Sequence, residues 1–340
     1  MPSIIAFSGI NIDRAYPGLG PDAAARRRAL SLSALVKVTQ QVRDRSIDAI
    51  VIVGGLYDDR SVGRETLAAA LQVLESAGVP VLIAPGRADP IVAGGEYETG
   101  RLANNVWAWT STEFAEGAQV GGIGIVGRAR RGVWDSTPQL SPAFTSAPYL
   151  VVGDGIEYDR FEPPAVIHVV TTGSAETADS RSTVLRPVNG DLGEPFGRAA
   201  VILIDHAHQV AVDWVDLLAG HPSTEDVDVT SAATTADLLA QVIAAAKSLA
   251  PWSVLHLRGL LQPGVVIPAT KEEMSGRDDI LITDEALEFA SVTPESDDHS
   301  ALAEFARSLD AASVDDRTRH QAMAFGLLAL QSSVSEGASL

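Results

Sequence analysis

The chain has no cysteine, which excludes disulfides, thiolate metal sites and a cysteine nucleophile, and fits a reducing compartment. Histidine is absent from the first 167 residues. Any metal site built there has to do without imidazole, a ligand that catalytic sites for transition metals favour. Lysine occurs three times in 340 residues. No uninterrupted apolar stretch approaches the roughly 20 residues of a membrane span, and Met1 to Phe7 enters an apolar run with no basic segment before it, unlike a signal peptide. The expectation is a soluble, cytoplasmic protein without a membrane segment.

What is present is an ordinary folded composition. Apolar residues make up 46% of the chain, enough for a packed core, and the length suits one large α/β domain with a smaller one. Acidic residues number 44 against 25 basic, a formal charge of −19. A field of that sign opposes a phosphate backbone unless arginines are locally concentrated. Arg26, Arg27 and Arg28, and Arg128, Arg130 and Arg131, are the tight arginine clusters. Both read as solvated helix or loop faces.

The first third alternates strands and helices. Ile4–Phe7, Ile47–Val53 and Val79–Ala84 read as strands, with helices over Ala23–Arg45 and Arg64–Ala77 and glycines at the strand ends. That pattern predicts parallel strands with helices packed on them. Val106–Trp109, Gly122–Val126, Tyr149–Val152, Val166–Val170 and Ala200–Ile204 follow as short strands with little helix between them, and are expected to form a second sheet. Residues 1–219 are read as one domain, 220–226 as a linker, 227–332 as a small α/β cap and 333–340 as a tail. In the cap, Thr235–Leu249, Ser300–Leu309 and Arg317–Ser332 read as helices, and Ser253–Leu260 and Asp278–Ile282 as strands. The fold class is therefore α/β, two sheets flanked by helices with a small α/β domain after them. There is no internal repeat, no phosphate-binding loop followed by lysine and no nucleophile elbow.

The strand ends carry "SGINID" (8–13), "GGLYD" (54–58), "GRAD" (86–89) and "VVGDGI" (151–156). In order and spacing these glycine-rich ends resemble those of the calcineurin-like metallophosphoesterases, and most of all the bacterial nuclease subunits that work with an SMC-like ATPase in double-strand-break repair. "HLRGLL" (256–261) is similar to the strand of their cap domain. The resemblance implies a two-sheet phosphoesterase fold. In that family two ions, usually manganese, activate a water, which requires ligands from several strand ends including a bridging carboxylate.

The same motifs are altered at their ligand positions. Where the family has Asp and His after the first strand, this chain has Gly9 and Asn11; at the bridging Asp it has Gly55, with Asp58 kept. The family's Asn-His becomes Arg87-Ala88, with Asp89 kept, and the last two histidines become Asp154 and Ile156. The resemblance thus points to a degenerate site with no catalytic residue, no metal and no cofactor. Arg87 is expected to face that site as the partner of Asp58 or Asp89, with room for a small anion beside it. An active alternative, a manganese- or magnesium-dependent phosphodiesterase or exonuclease, needs a relocated site drawn from Asp13, Asp58, Asp89, Asp154 and Glu157. His206 and His208 read as turn residues of a hairpin and His256 and His320 as structural or surface groups, while Gly173 and Ser174 resemble a family turn. The function expected is that of a scaffold or regulatory subunit pairing with itself or with a protein partner, an SMC-like ATPase or an intact phosphoesterase. A nucleic-acid binding module that does not cut is the other alternative.

Overall fold

The computed structural model describes residues 1–16, 19–99, 102–114, 116–131, 149–153, 167–171, 178–179, 182–185, 197–205, 210–218, 222–268, 271–290 and 300–337. The chain divides into two compact units, residues 1–16 with 24–221 and residues 17–23 with 222–340.

The first unit begins with β1 (Ser3–Phe7), α1 (Pro21–Arg45), β2 (Ala49–Val53), α2 (Arg64–Glu75), β3 (Val81–Ala84) and β4 (Val106–Ala108). Strands β5 (Glu116–Val120), β6 (Ile123–Gly127), β7 (Tyr149–Gly153), β8 (Ile167–Thr171), β9 (Ala178–Asp179), β10 (Ser182–Leu185), β11 (Arg198–Ile204) and β12 (Val210–Asp216) follow. They form two mixed six-stranded sheets, in the orders β12-β11-β1-β2-β3-β4 and β5-β6-β7-β8-β10-β9. The centre of the first sheet is parallel, β1 to β2 to β3 to β4.

Every residue of β1, β2 and β3 is buried, which is why these strands read as unbroken apolar runs. Their alternation sorts the side chains into two cores. Ile5, Phe7, Ile50 and Ile52 join Leu35 and Val38 of α1 and Leu67 and Leu74 of α2. Ile4, Ala6, Val51 and Val53 join Ile125, Leu150 and Val152 of the second sheet, with Trp109 among them.

Two strands sit elsewhere than expected. Sequence pattern places β4 and β11 in the second sheet, but β4 pairs parallel with β3 and β11 pairs antiparallel with β1. Ala199 and Val201 of β11 enter one core and Ala200, Ile202 and Ile204 the other. A strand buried on both faces shows no alternation, and periodicity carries no information about its neighbour. β5 and β12 are strands that the pattern does not predict. The arginine clusters are also not simply solvated. Arg27 is 2% exposed, with its guanidinium 5.7 Å from the Tyr16 ring centroid, and Arg128 is 3% exposed.

The second unit holds β13 (Thr224–Asp228), α3 (Thr235–Ser248), β14 (Val254–Leu261), α4 (Lys271–Ser275), β15 (Leu281–Phe289), α5 (Ala301–Ala311) and α6 (Asp316–Gly337). Its three strands are parallel, in the order β13-β14-β15. β13 takes up part of the segment read as a linker, because its sequence TEDVD is polar and exposed. α3 opens with a reciprocal cap: Asp237 N–H donates to Thr234 Oγ1 at 3.1 Å, and Thr234 N–H donates to the Asp237 carboxylate at 3.0 Å. Leu238, Val242 and Ala246 then pack on Leu255 and Leu257. No described helix of the chain is long and apolar enough to cross a membrane.

Contact between the two sheets of the first unit is close at Gly127, where a Cβ would lie 2.3 Å from the fully buried Trp109 ring. Gly127→Ala is expected to destabilise the unit by about 1–3 kcal/mol through overpacking, measured by denaturant unfolding followed through tryptophan fluorescence.

Candidate functional site

The loops after β1, β2 and β3 leave the sheet side by side and stay bonded to one another. Gly9 N–H donates to Gly54 C=O at 3.0 Å, Asn11 N–H to Gly55 C=O at 2.8 Å and Ile12 N–H to Leu56 C=O at 3.0 Å. Asp59 N–H donates to Ala88 C=O at 2.9 Å and links the second loop to the third. This pairing continues past the strands only because several residues turn into the left-handed region. Gly9, Gly54 and Gly55 have φ of 68°, 70° and 68°, and Asn11 and Asp13 have φ of 46° and 62°. Glycine, Asn and Asp are the residues that tolerate that conformation.

Asp89 is the centre of the arrangement. Its side chain is fully buried. One carboxylate oxygen accepts from Gly55 N–H at 2.7 Å and Gly86 N–H at 2.9 Å; the other accepts from Leu56 N–H at 2.9 Å and Tyr97 O–H at 2.7 Å. Backbone N–H groups converging on one anion form the kind of concavity that binds phosphate or carboxylate. Here the protein's own aspartate fills it. Burial raises the Asp89 pKa to about 6, opposed by the Tyr97 hydroxyl and the three backbone donors. The Tyr97 ring lies 5.2 Å from that of Tyr57, and burial and the Asp89 charge hold both phenols protonated. No sequence motif points to Tyr97, which lies in a loop whose neighbours are Gly94, Gly95 and Glu96.

Among the described residues, the loop positions that correspond to the family's metal ligands do not fit a metal. Gly9 supplies no side chain. At Gly55 a Cβ would fall 2.7 Å from Asn11 Oδ1 and 2.9 Å from Gly9 Cα, on a backbone already at positive φ. No bridging carboxylate can be carried there without moving the first loop. Asn11 is 4% exposed and fills the space in front of that glycine. Ala88 offers no donor.

Arg87 is exposed, and neither Asp58 nor Asp89 takes a hydrogen bond from it. The expectation that its guanidinium pairs with one of them is therefore not met. Asp89 takes its donors from the backbone and from the Tyr97 phenol instead.

The other retained carboxylates are engaged locally. Asp13 accepts from Gly63 N–H at 3.0 Å and Asp58 from Arg60 N–H at 3.1 Å. Among the described residues no group of three or more His, Cys, Asp and Glu side chains is arranged to hold a metal ion. Asp154, Ile156, Glu157, Gly173, Ser174, His206 and His208 lie outside the described residues. β11 and β12, which flank the His206–His208 segment, do form an antiparallel hairpin, with Ile204 opposite Val210. His256 bonds Thr283 on the neighbouring strand, and His320 is buried. The segment after β6 borders the same strand ends: Arg128 N–H donates to Val152 C=O at 3.2 Å and Arg130 N–H to Pro85 C=O at 2.9 Å.

No protein-family model matches the chain, and no curated protein matches it in sequence. Solved structures are distantly similar, among them TT1561 and GAP50. TT1561 of Thermus thermophilus aligns over 64% of this chain and 99% of its own, at 15% identity and a TM-score of 0.40. GAP50, the anchor in the inner membrane complex of Plasmodium, aligns over 64% of this chain and 85% of its own, at 11% identity and a TM-score of 0.35.

Asp89 makes stability depend on pH with a definite sign. Its folded pKa lies above the unfolded value, so its favourable term is complete below about pH 4 and is lost as pH rises through about 6. The stability of the wild type minus that of Asp89→Asn is expected to fall by roughly 3 kcal/mol between those limits and to be flat above them, as measured by urea unfolding of both proteins across the range.

Proposed function

We propose that this chain is a non-catalytic protein on a metallophosphoesterase-like frame, working through protein contact as a scaffold or regulatory subunit. The observation that carries the reading is Gly55. A glycine at φ 68°, with Asn11 Oδ1 2.7 Å from where its Cβ would be, occupies the place where the resembling family needs a carboxylate between two cations. The retained Asp89 is consumed by four internal donors. A formal charge of −19 favours contact with protein over independent binding to nucleic acid. The degenerate positions are Gly9, Asn11, Gly55, Asp58, Arg87, Ala88, Asp89, Asp154 and Ile156. The partner proposed is a second copy of the chain or another protein, with an SMC-like ATPase or an intact phosphoesterase as the kinds the resemblance implies, and the compartment proposed is the cytoplasm.

Calorimetric titration of the purified chain with manganese is expected to give no binding isotherm. Two tight binding events would overturn the reading in favour of a divergent phosphodiesterase or exonuclease, and salt-dependent DNA binding would favour a nucleic-acid module. Sedimentation at micromolar concentration reads self-association directly. A monomer that recovers no protein from cells would sink the scaffold role.

Gly55→Asp restores the family's carboxylate in composition only. It is expected to cost about 1–3 kcal/mol through backbone strain and the clash with Asn11 and to gain no manganese binding. A variant as stable as the wild type that binds the ion would show that the site is still open.

A further inference from the structure

The second unit contains a buried histidine that the proposed function does not use. His320, on α6, is 4% exposed. Its Nε2–H donates to Val265 C=O at 2.9 Å, and its ring lies 4.7 Å from that of Phe289 at the end of β15. The Val265 bond fixes the neutral tautomer, with Nδ1 bare. Nδ1 is buried and has no hydrogen-bond partner among the described residues. Protonation there places a new N–H and a positive charge where no acceptor is found among the described residues.

Among the described residues, the charged groups on the elements around it provide no counter-ion. Asp284 of β15 pairs with Arg317 of α6 at 2.7 Å. Asp316 of α6 and Asp310 of α5 lie 2.7 and 4.0 Å from Arg319. Glu288 of β15 and Glu304 and Arg307 of α5 are exposed, and residues 262–268, which include Val265, carry no charge. Desolvation accordingly lowers the pKa of His320, opposed only by the Val265 carbonyl.

We propose that α6 is an acid-released latch: it is docked on Val265 and Phe289 through neutral His320, and protonation of that ring undocks the helix. Arg317–Asp284 is a second tie between α6 and β15. The first movement is therefore local opening of α6, which exposes Phe289 and Val265, and not unfolding of the whole unit.

Hydrogen exchange of the full chain, compared at about pH 7.5 and about pH 5.5 after correction for the intrinsic exchange rate, tests this. A histidine that must be neutral in the docked state and titrates normally when released makes opening about tenfold more populated at the lower pH. The expected result is about tenfold loss of protection in α6, with α3 unchanged as the internal reference. His320→Gln retains an N–H for Val265 and does not titrate, and His320→Phe retains the ring contact. Both are expected to abolish the pH response, and the Gln variant alone decides the matter if the Phe variant does not fold. Equal α6 protection at both pH values in the wild type, or the same acid response in His320→Gln, overturns the proposal.

Discussion

The geometry of the strand ends depends on one buried carboxylate. Asp89 takes hydrogen bonds at 2.7–2.9 Å from Gly55, Leu56, Gly86 and Tyr97, so a single side chain ties the loop after β2 to the loop after β3. Each charge-assisted bond contributes about 1.5–3 kcal/mol, and removing a carboxylate from water costs several kcal/mol. The donors offset most of the desolvation, and the remainder of roughly 3 kcal/mol appears as a pKa raised to about 6. What the interaction supplies is therefore position more than net stability. With Gly55 and Leu56 held by Asp89, and Gly55 C=O accepting from Asn11 N–H at 2.8 Å, the three loops form one connected assembly.

That assembly explains why the altered positions form a set. Gly55 can adopt its positive φ and lie against Gly9 and Asn11 because neither it nor Gly9 has a side chain. Asn11 tolerates its own positive φ, and its amide fills the space the missing side chain leaves. Small residues, a left-handed asparagine and an internally satisfied aspartate together fill the space between these loops. The second unit solves a similar problem with the opposite charge logic. His320 is buried neutral, with one nitrogen used and the other bare.

The parallel strands of the first sheet are legible in the sequence because SIIAF, AIVIV and VLIA are buried on both faces, and the ends of α1 and α2 because they abut glycine turns and strands. The sheet to which β4 and β11 belong is not legible, since pairing is decided across 20 to 200 residues by which apolar faces meet. β13 is hidden by its acidic, exposed composition. That Gly9, Gly55 and Ala88 carry no ligating side chain is readable directly from the sequence. The role of Asp89 is not, because its partners include two backbone amides 33 and 34 residues away and the phenol of Tyr97. Charge counting likewise treats every arginine as solvated, and so misses the burial of Arg27 and Arg128.

The coupling between these loops bears on where the working surface of the first unit lies. Restoring a ligand at position 55 puts a Cβ 2.9 Å from Gly9 Cα, so the loops must shift, which moves the carbonyl that accepts from Asn11 and the amide that donates to Asp89. It also requires Asn11 to vacate the space its amide fills. Each change disturbs the others, so reversal by a single substitution is opposed by the whole hydrogen-bonded set. A protein that has used its strand-end loops in this way has made them structural.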